Sequence, residues 1–399
     1  MTEHAFYTLS ISTAAALLAY IGLWSGLQTF NANPTKRFRR IWLKLSMYYA
    51  AYTMPFWAAL LIVGCLQDML GQLSLPLVLI TLLAMTLYFY TVVIQPNRLR
   101  LEHHTVDLDL KAPLTIAVLA DLRIGLYSGK PRHIRKLIAT INDLSADAVL
   151  ITGDWLYYPS ADLVGQLMLF KAVNKPVYTV MSTSDLRYQS INTTKQGQPL
   201  LEDTLASAFD VLDISYIGQQ CTSLPLKCVG VNNSQSVIYQ SRSRKKNPNI
   251  LRQQNSADEQ IVAVLCGWQD VPKKLIDIES SNAIEKAALG AEIANASYPV
   301  IVLASRFDSI TDLPKSLQPR PLLITGAAKA IQKNIWLAQK QQSIQRSNDQ
   351  LTVLENSRIG KQRGLYQHSS AQIFVSSGIG TRGLPFRLYR PTIDVLTIR

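Results

Sequence analysis

Three aspartates of this chain stand directly after short apolar runs that are typical of buried strands: Asp121, Asp154 and Asp185. Carboxylates at the ends of neighbouring strands can converge on one site, where a hard divalent cation would offset their mutual repulsion. A single aspartate in such a position commonly caps the turn or helix that follows it instead. Because all three stand in the same serial context, the sequence favours a shared site over three separate caps.

The elements that would position these aspartates begin at about residue 112, where apolar runs alternate with helical patterns. The runs that predict buried strands are 115–120, 148–152, 177–181, 261–265, 299–304 and 321–325. Between the first two, residues 132–144 carry apolar side chains at helical spacing. This alternation predicts an α/β fold, in which ligands gather at loops beyond the carboxyl ends of the strands. The polar residues 232–260 predict an exposed insertion.

Two other patterns in this region do not indicate a site. Residues 378–383 satisfy the G-x-G-x-x-G pattern of dinucleotide-binding proteins, but a Leu-Pro pair follows where a helix is needed. Cys221, Cys228 and Cys266 form an odd set without a C-x-x-C pair. We therefore predict neither a dinucleotide site nor a zinc site, and we expect reduced, partly buried thiols.

The order of the short motifs in this region resembles that of the calcineurin-like metallophosphoesterases, specifically their membrane-associated bacterial branch. That family carries D-x-H, then G-D, then G-N-H-D, then a lone His after a strand, then G-H-x-H. The matching segments here are Asp121-Leu-Arg123, Gly153-Asp154, Ser182-Thr183-Ser184-Asp185, Leu303-Ala-Ser305-Arg306 and Gly326-Ala327-Ala328-Lys329. Residues 377–387 also resemble the C-terminal end of that branch. The resemblance covers 112–399 and implies a four-layer α/β/β/α sandwich: two mixed sheets packed face to face, with helices outside.

The departures from the family pattern concern the metal ligands. All five motif histidines are replaced, by Arg123, Ser184, Ser305, Ala327 and Lys329. The five histidines of the chain, at positions 4, 103, 104, 133 and 368, fall elsewhere. Two-metal catalysis needs several fixed ligands to hold both ions and to generate hydroxide near neutral pH. Three carboxylates do not supply that set, so we expect no catalytic residues for two-metal hydrolysis and no bound cofactor.

Three cationic side chains stand at the altered motifs: Arg123, Lys329 and Arg306. They could supply built-in positive charge in place of two divalent ions and keep the three aspartates ionised. The aspartates would then be a vestigial metal site, and the cations would bind an anion such as a phosphorylated molecule or a lipid headgroup. The alternative is neutral drift, with the cationic side chains pointing to solvent.

The N-terminal third has a different character from the rest of the chain. Hydrophobic residues make up 48% of the whole sequence, but residues 5–32, 45–67 and 69–97 contain no Asp, Glu, Lys or Arg. The transmembrane helices predicted there, at about 6–30, 45–66 and 73–94, match the thickness of a bilayer. Buried helices of a soluble core are the alternative. We interpret 1–97 as a membrane anchor, 98–111 as a linker and 112–399 as the domain, which excludes a wholly soluble protein and a many-spanning transporter.

The basic residues between the predicted helices indicate their orientation. Lys and Arg occupy positions 36, 37, 39, 40 and 44, between the first two helices, whereas the turn between the second and third has none. The positive-inside rule therefore places the N-terminus outside and the large domain in the cytoplasm. The resemblance to the bacterial branch implies that the membrane is a bacterial inner membrane.

The balance of charge bears on the partners. The formal net charge is +13, and most of it lies in residues 111–399. On a cytoplasmic face, anionic membrane lipids attract such charge. Nucleic acid is the competing polyanion, but no nucleic-acid module is recognisable. The basic cluster 242–246 is interpreted first as part of a solvated loop.

Our first interpretation is a membrane-anchored, degenerate metallophosphoesterase-like protein, a pseudoenzyme that acts as a binding or regulatory module. Its ligand would be a phosphorylated molecule, a lipid headgroup or a protein partner. The alternative is an active phosphoesterase on a membrane phospholipid or a nucleotide-like ester, with Mn, Fe, Zn or Mg at the three aspartates. A purely structural role in a membrane assembly is a third hypothesis.

Overall fold

The computed structural model describes residues 12–25, 37–70, 75–125, 130–157, 159, 163–185, 201–225, 261–268, 289–291, 293–294, 296, 298–305, 320–326, 363–367, 371–381, 387 and 390–399. Within these residues the chain is a mixed α/β protein with two six-stranded sheets, preceded by apolar helices. The predicted insertion 232–260, Arg306 and Lys329 lie outside the described residues.

The apolar helices form three segments. Helix α1 spans Ser12–Ser25. Helices α2 (Arg37–Tyr48) and α3 (Met54–Leu70) are joined by a π-helical turn, Tyr49–Thr53, and α4 (Leu75–Phe89) continues through Tyr90–Ile94 to Asn97. The π-helical turn has a local cause, because Pro55 has no N–H to donate to the carbonyl of Ala51. The Tyr88 hydroxyl donates to that carbonyl instead, at 2.9 Å.

Two of these segments are long and apolar enough to cross a bilayer, Ile41–Gly64 and Val78–Asn97. They correspond to the second and third predicted spans, 45–66 and 73–94. The described helix α1 is shorter than the ~20 residues that a span needs. The first span, 6–30, therefore stays a prediction.

The first sheet has the strand order β1-β14-β2-β4-β6-β7. Its strands are β1 (Arg100–Val106), β2 (Leu114–Leu119), β4 (Ala148–Ile151), β6 (Val177–Thr179), β7 (Ile214–Tyr216) and β14 (Thr392–Ile398). Strands β2, β4, β6 and β7 run parallel. Helices α5 (Pro131–Asp143), α6 (Leu163–Leu167) and α7 (Leu201–Val211) lie between them in sequence. A two-stranded ladder joins β3 (Ile124–Gly125) to β5 (Leu156–Tyr157).

The second sheet has the strand order β12-β13-β11-β10-β9-β8. Its strands are β8 (Cys221–Pro225), β9 (Ile261–Trp268), β10 (Val300–Ala304), β11 (Leu322–Gly326), β12 (Gly364–Gln367) and β13 (Gln372–Ser376). The four inner strands are parallel and both edge pairs are antiparallel. All six strands predicted from apolar runs are therefore confirmed.

The two sheets share one apolar core. Ile116 and Leu150 of the first sheet belong to the same buried cluster as Leu303 and Ile324 of the second. The alternate residues of the first sheet, such as Leu119, pack in a separate cluster against the buried faces of α5 to α7. This division follows from the period of two along a strand, which sends successive side chains to opposite faces.

The segment 98–111, interpreted above as a linker, contains strand β1. The strand pairs in parallel with β14 along its whole length, from Arg100 opposite Thr392 to Val106 opposite Ile398. Its sequence is polar because it lies at the edge of the sheet, where main-chain hydrogen bonds to one neighbour hold it. Because strand β1 contains no apolar run, the hydrophobic pattern of the sequence does not predict it.

The expectation of reduced thiols is wrong for two cysteines. Cys221 and Cys266 form a disulfide, with an Sγ–Sγ distance of 2.01 Å. They lie directly opposite each other on the antiparallel strands β8 and β9. A separation of 45 residues along the chain gave no sign of this pairing.

Candidate functional site

Two of the predicted site residues lie together because their strands are neighbours. Asp121 follows β2 and Asp154 follows β4, and these strands are parallel partners. The loops are joined directly, since the Arg123 N–H donates to the Asp154 carbonyl at 2.8 Å. Asp121, Arg123 and Asp154 all have left-handed backbones, with φ of 53°, 50° and 51°. Such a conformation costs about 1–2 kcal/mol per residue, so the surrounding contacts must hold it.

The Arg123 side chain bridges the two carboxylates. Its Nη2 lies 3.1 Å from Asp121 Oδ1 and 3.3 Å from Asp154 Oδ2. The exposed fractions of the three side chains, in the order Arg123, Asp121 and Asp154, are 8%, 9% and 12%. Burial opposes its charge, but the two carboxylates outweigh burial and raise the pKa of Arg123. Its immediate surroundings are anionic, which is the opposite of what an anion-binding side chain needs.

Asp154 is held in its ionised form by the same contacts. Ser184, at a motif position where the family has histidine, donates from Oγ to Asp154 Oδ1 at 2.6 Å. Burial alone would raise the pKa of Asp154, but the charge of Arg123 and hydrogen bonds from serines outweigh it and lower the pKa to about 2. Asp154 is therefore a carboxylate at neutral pH, paired with an internal cation.

Asp185, the third predicted site residue, connects its own loop to the loop after β4 through hydrogen bonds. Its Oδ1 accepts from the Leu156 N–H at 2.9 Å, and its Oδ2 accepts from the Trp155 N–H at 3.3 Å and from the Ser182 N–H at 3.0 Å. Burial, and then the charge of Asp154, raise the pKa of Asp185 to about 7. Both oxygens are engaged by the protein, so Asp185 has a structural role in this arrangement.

The loop after β13 packs closely against Asp121. This close approach accounts for Gly378 and Gly380 of the G-x-G-x-x-G match at residues 378–383. Gly378 has φ of +76°, and a Cβ there would lie 2.8 Å from the Asp121 Cβ. A Cβ at Gly380 would overlap the Leu122 carbonyl oxygen. The Ile379 N–H donates to the Ala120 carbonyl at 2.9 Å, and the Gly380 N–H to the Asp121 carbonyl at 2.6 Å. These glycines permit a close approach between two loops.

Arg387 is a buried residue of the site that sequence reasoning missed. Its guanidinium donates to the carbonyls of Ser377, Gly378, Ile379 and Gly380. Burial lowers the pKa of Arg387 to about 10, against the attraction of Asp121. Its N–H donates to the Thr91 carbonyl at 3.2 Å, near the end of the apolar helical segment Val78–Asn97. The only sequence signal was its place in the C-terminal segment that resembles the family.

The motif segments of the second sheet reach the same region. Ser305 follows β10 and is 6% exposed, and a Cβ at Gly153 would lie 3.2 Å from the Ser305 Cβ. Gly326 ends β11, and a Cβ there would lie 3.8 Å from Asp121 Oδ1. The other four motif segments therefore all meet Asp121 or its neighbours through described residues, while the cationic ends at Arg306 and Lys329 lie outside the described residues.

The described residues do not fit the two divalent ions that the resemblance implies. A cation between Asp121 and Asp154 would meet the guanidinium of Arg123, which already lies 3.1 Å and 3.3 Å from their oxygens. Both oxygens of Asp185 already accept from buried N–H groups of the protein, which a metal ion would have to share or displace. We therefore derive no step through a metal at this site.

A second cluster contains groups that ligate metals elsewhere: Glu102, His104 and Asp394, with ligand atoms within 4.8 Å of one another. Glu102 is paired with Arg363 at 2.5 Å and with Arg100 at 3.2 Å. Asp394 accepts from the Ser376 hydroxyl at 2.5 Å. With two arginines on one carboxylate, this cluster is an ion-pair network that ties β1 and β14 to the second sheet.

No protein-family model matches this chain, and no curated protein matches it. What the described residues define is a mixed α/β protein in which loops from both sheets enclose an Asp121–Arg123–Asp154 cluster. The cluster is closed, internally neutralised in part, and joined through Arg387 to the end of an apolar helix.

Proposed function

We propose that this chain is a membrane-anchored, degenerate metallophosphoesterase-like protein that acts as a binding or regulatory module without two-metal hydrolysis. The observation that carries the proposal is the Arg123 guanidinium, 3.1 Å from Asp121 and 3.3 Å from Asp154. A fixed side-chain cation neutralises carboxylates that would otherwise need metal ions, and it cannot generate a metal-bound hydroxide.

The packing of the sheets supports the family resemblance. Two six-stranded sheets share one core, and helices α5 to α7 cover the other face of the first sheet. These three layers agree with the four-layer α/β/β/α sandwich that the resemblance implies, and we propose helices on the outer face of the second sheet as its fourth layer. The loops that carry the altered motifs also gather at the carboxyl ends of parallel strands, where such folds hold their ligands.

Anchoring in a bacterial inner membrane is supported by Ile41–Gly64 and Val78–Asn97. We propose the segment 6–30 as a third span. The basic residues from Arg37 to Lys44 precede Tyr48, whose ring lies 5.7 Å from Lys130 Nζ of the domain, and Arg98 follows Val78–Asn97 directly. This placement supports a cytoplasmic domain. The Cys221–Cys266 disulfide is more typical of an oxidising compartment. A reporter fused after Arg399 decides between them, and a periplasmic signal would refute the cytoplasmic orientation.

A regulatory role is supported by a continuous set of contacts from an apolar helix to the site. Thr91, near the end of Val78–Asn97, accepts from the Arg387 N–H. The Arg387 guanidinium holds the loop that carries Gly378 and Gly380. That loop bonds to the backbone of Asp121. A displacement of the helix end would therefore shift the loop that contacts Asp121 and change the geometry of the Asp–Arg cluster.

Hydrolysis of a generic phosphodiester tests this proposal. Full-length protein in detergent, with Mn²⁺ added, is expected to give the same rate as its Asp154→Asn variant. The matched control for lost charge is Asp107→Asn, because Asp107 lies on the surface and pairs only with an exposed Arg399 among the described residues. Turnover that Asp154→Asn abolishes and Asp107→Asn retains would establish the alternative, an active phosphoesterase on a phospholipid or a nucleotide-like ester.

A further inference from the structure

A cavity of about 140 Å³ lies where the two apolar spans meet the domain. The start of Ile41–Gly64 contributes Met47 and Tyr48, and the end of Val78–Asn97 contributes Pro96 and Asn97. A bilayer that surrounds these spans would have its headgroup region on the domain side at the height of this cavity. Tyrosines are typical of that interfacial level, and Tyr52 also lines the cavity.

The part of the cavity wall that the domain contributes is apolar on one side and basic on the other. Apolar side chains such as Leu122, Ile134 and Leu137 form one half. Lys130, His133 and Lys136 form the other, from the first turns of α5 and the residue before it. None of the described residues that line the cavity is acidic. The cavity is therefore amphiphilic, and its described rim is positive.

Two further observations support the positive character of this rim. Lys130 Nζ lies 5.7 Å from the centre of the Tyr48 ring, so the cation spans the junction between domain and anchor. Partial burial and the charges of Lys130, Arg132 and Lys136 lower the pKa of His133. Burial would disfavour any charge here, but the contribution of the neighbouring cations to this shift marks a positive potential, which attracts an anion.

We propose that this cavity binds the headgroup and glycerol of an anionic phospholipid from the surrounding leaflet. The phosphate contacts Lys130 and Lys136, the glycerol contacts the apolar wall, and the acyl chains remain in the bilayer beside the spans. The inference rests on the proposed membrane anchoring and is independent of the loss of hydrolysis.

The position of the cavity gives the lipid a route to the Asp–Arg cluster. Leu122, which lines the cavity, stands between Asp121 and Arg123 in the strained loop. Ile379 and Gly380 also line it, and their N–H groups donate to the carbonyls of Ala120 and Asp121, directly before Leu122. A bound lipid would therefore contact both loops that close the site, and it supplies a ligand for the proposed regulatory module.

The test measures the affinity of full-length protein, in neutral detergent, for fluorescent phosphatidylglycerol and phosphatidylcholine. Wild-type protein is expected to bind phosphatidylglycerol more tightly. The double variant Lys130→Gln/Lys136→Gln should weaken that binding about 25-fold, because each cation close to an anionic lipid contributes a factor of about five. The matched control is Lys111→Gln/Arg135→Gln, which removes the same charge from exposed positions of the domain that do not line the cavity.

A second variant tests the cavity itself without changing its charge. Asn97→Trp fills the cavity from an exposed rim position and should abolish saturable binding of both lipids. Equal losses in the two charge variants would indicate general surface attraction and overturn the proposal. So would unchanged binding by Asn97→Trp with an unchanged unfolding midpoint.

Soluble glycerol phosphate separates a lipid from a free phosphate compound. It shares the headgroup chemistry and lacks acyl chains, so it should not compete at concentrations where phosphatidylglycerol does. Competition of equal strength would assign the cavity to a soluble ligand and overturn the lipid proposal. Metal-dependent turnover would refute the proposed function and leave these lipid affinities unchanged. A protein that does not fractionate with membranes would refute the membrane anchoring on which the lipid proposal rests.

Discussion

Replacing Arg123 by alanine removes the cation on which the account depends. Two carboxylates, Asp121 and Asp154, would then face each other in a buried site with exposed fractions of 9% and 12%. At an effective dielectric constant of about 20, each ion pair near 3.2 Å has a gross attraction of about 5 kcal/mol. Much of this attraction offsets the cost of desolvating the charges. Removing one partner of a buried ion pair leaves the other charge buried and unpaired, so Arg123→Ala is expected to lower the free energy of unfolding by about 3–5 kcal/mol.

The assay is thermal unfolding of the full-length protein in detergent. For a domain of this size, about 2–4 °C is expected per kcal/mol, so Arg123→Ala should lower the midpoint by roughly 10 °C. Arg100→Ala is the matched control, since Arg100 pairs with Glu102 at 3.2 Å while 55% of its side chain is exposed. An exposed pair contributes about 0–1 kcal/mol, so this variant should change the midpoint little.

Added Mn²⁺ lets the Arg123→Ala variant test whether the guanidinium occupies the place of a divalent cation. With the guanidinium gone, the two carboxylates can bind a divalent cation, and a ligand at a hundred times its dissociation constant stabilises by about 2.7 kcal/mol. Mn²⁺ should therefore raise the midpoint of Arg123→Ala and leave that of the wild type unchanged. An Arg123→Ala midpoint equal to that of Arg100→Ala, or an equal response of wild type to Mn²⁺, would refute the reasoning.

Four further predictions concern the loops around the cluster. Asp185→Asn should cost about 1–3 kcal/mol, because its amide group would face a buried backbone N–H, and urea titration measures the loss. Wild-type stability should fall as pH rises from about 4 to 7, because the pKa of Asp185 is raised to about 7. It should also fall as pH drops from about 4 to 2, because the pKa of Asp154 is lowered to about 2, and Asp185→Asn should abolish only the first decline. Gly378→Ala should destabilise by about 1–3 kcal/mol through its φ of +76° and its contact with Asp121, and a midpoint within 1–2 °C of wild type would contradict this. Arg387→Lys should destabilise by a similar amount, measured in the same way, because one ammonium cannot replace the guanidinium at its several carbonyl partners.

The sequence predicted the parts of the structure that depend on local pattern. Apolar runs located strands such as Val300–Ala304, and helical spacing located the buried face of Pro131–Asp143. The meeting of Asp121 and Asp154 was predictable because residues after neighbouring parallel strands share one edge of a sheet.

The remaining features depend on contacts between distant parts of the chain. Arg387 donates hydrogen bonds to backbone carbonyls. Every residue has such a carbonyl, so the residue types do not reveal these contacts. Strand β1 is polar and is held by main-chain pairing to β14. The Cys221–Cys266 bond required the register of β8 against β9, which residue spacing does not encode.

The most direct test of the central claim is the metal content of the full-length protein after equilibrium dialysis against Mn²⁺. If Arg123 has taken the place of the metal centre, wild-type protein will hold no stoichiometric Mn²⁺, and Arg123→Ala will gain a saturable site. Two Mn²⁺ ions per wild-type chain, lost on Asp154→Asn, would contradict the account.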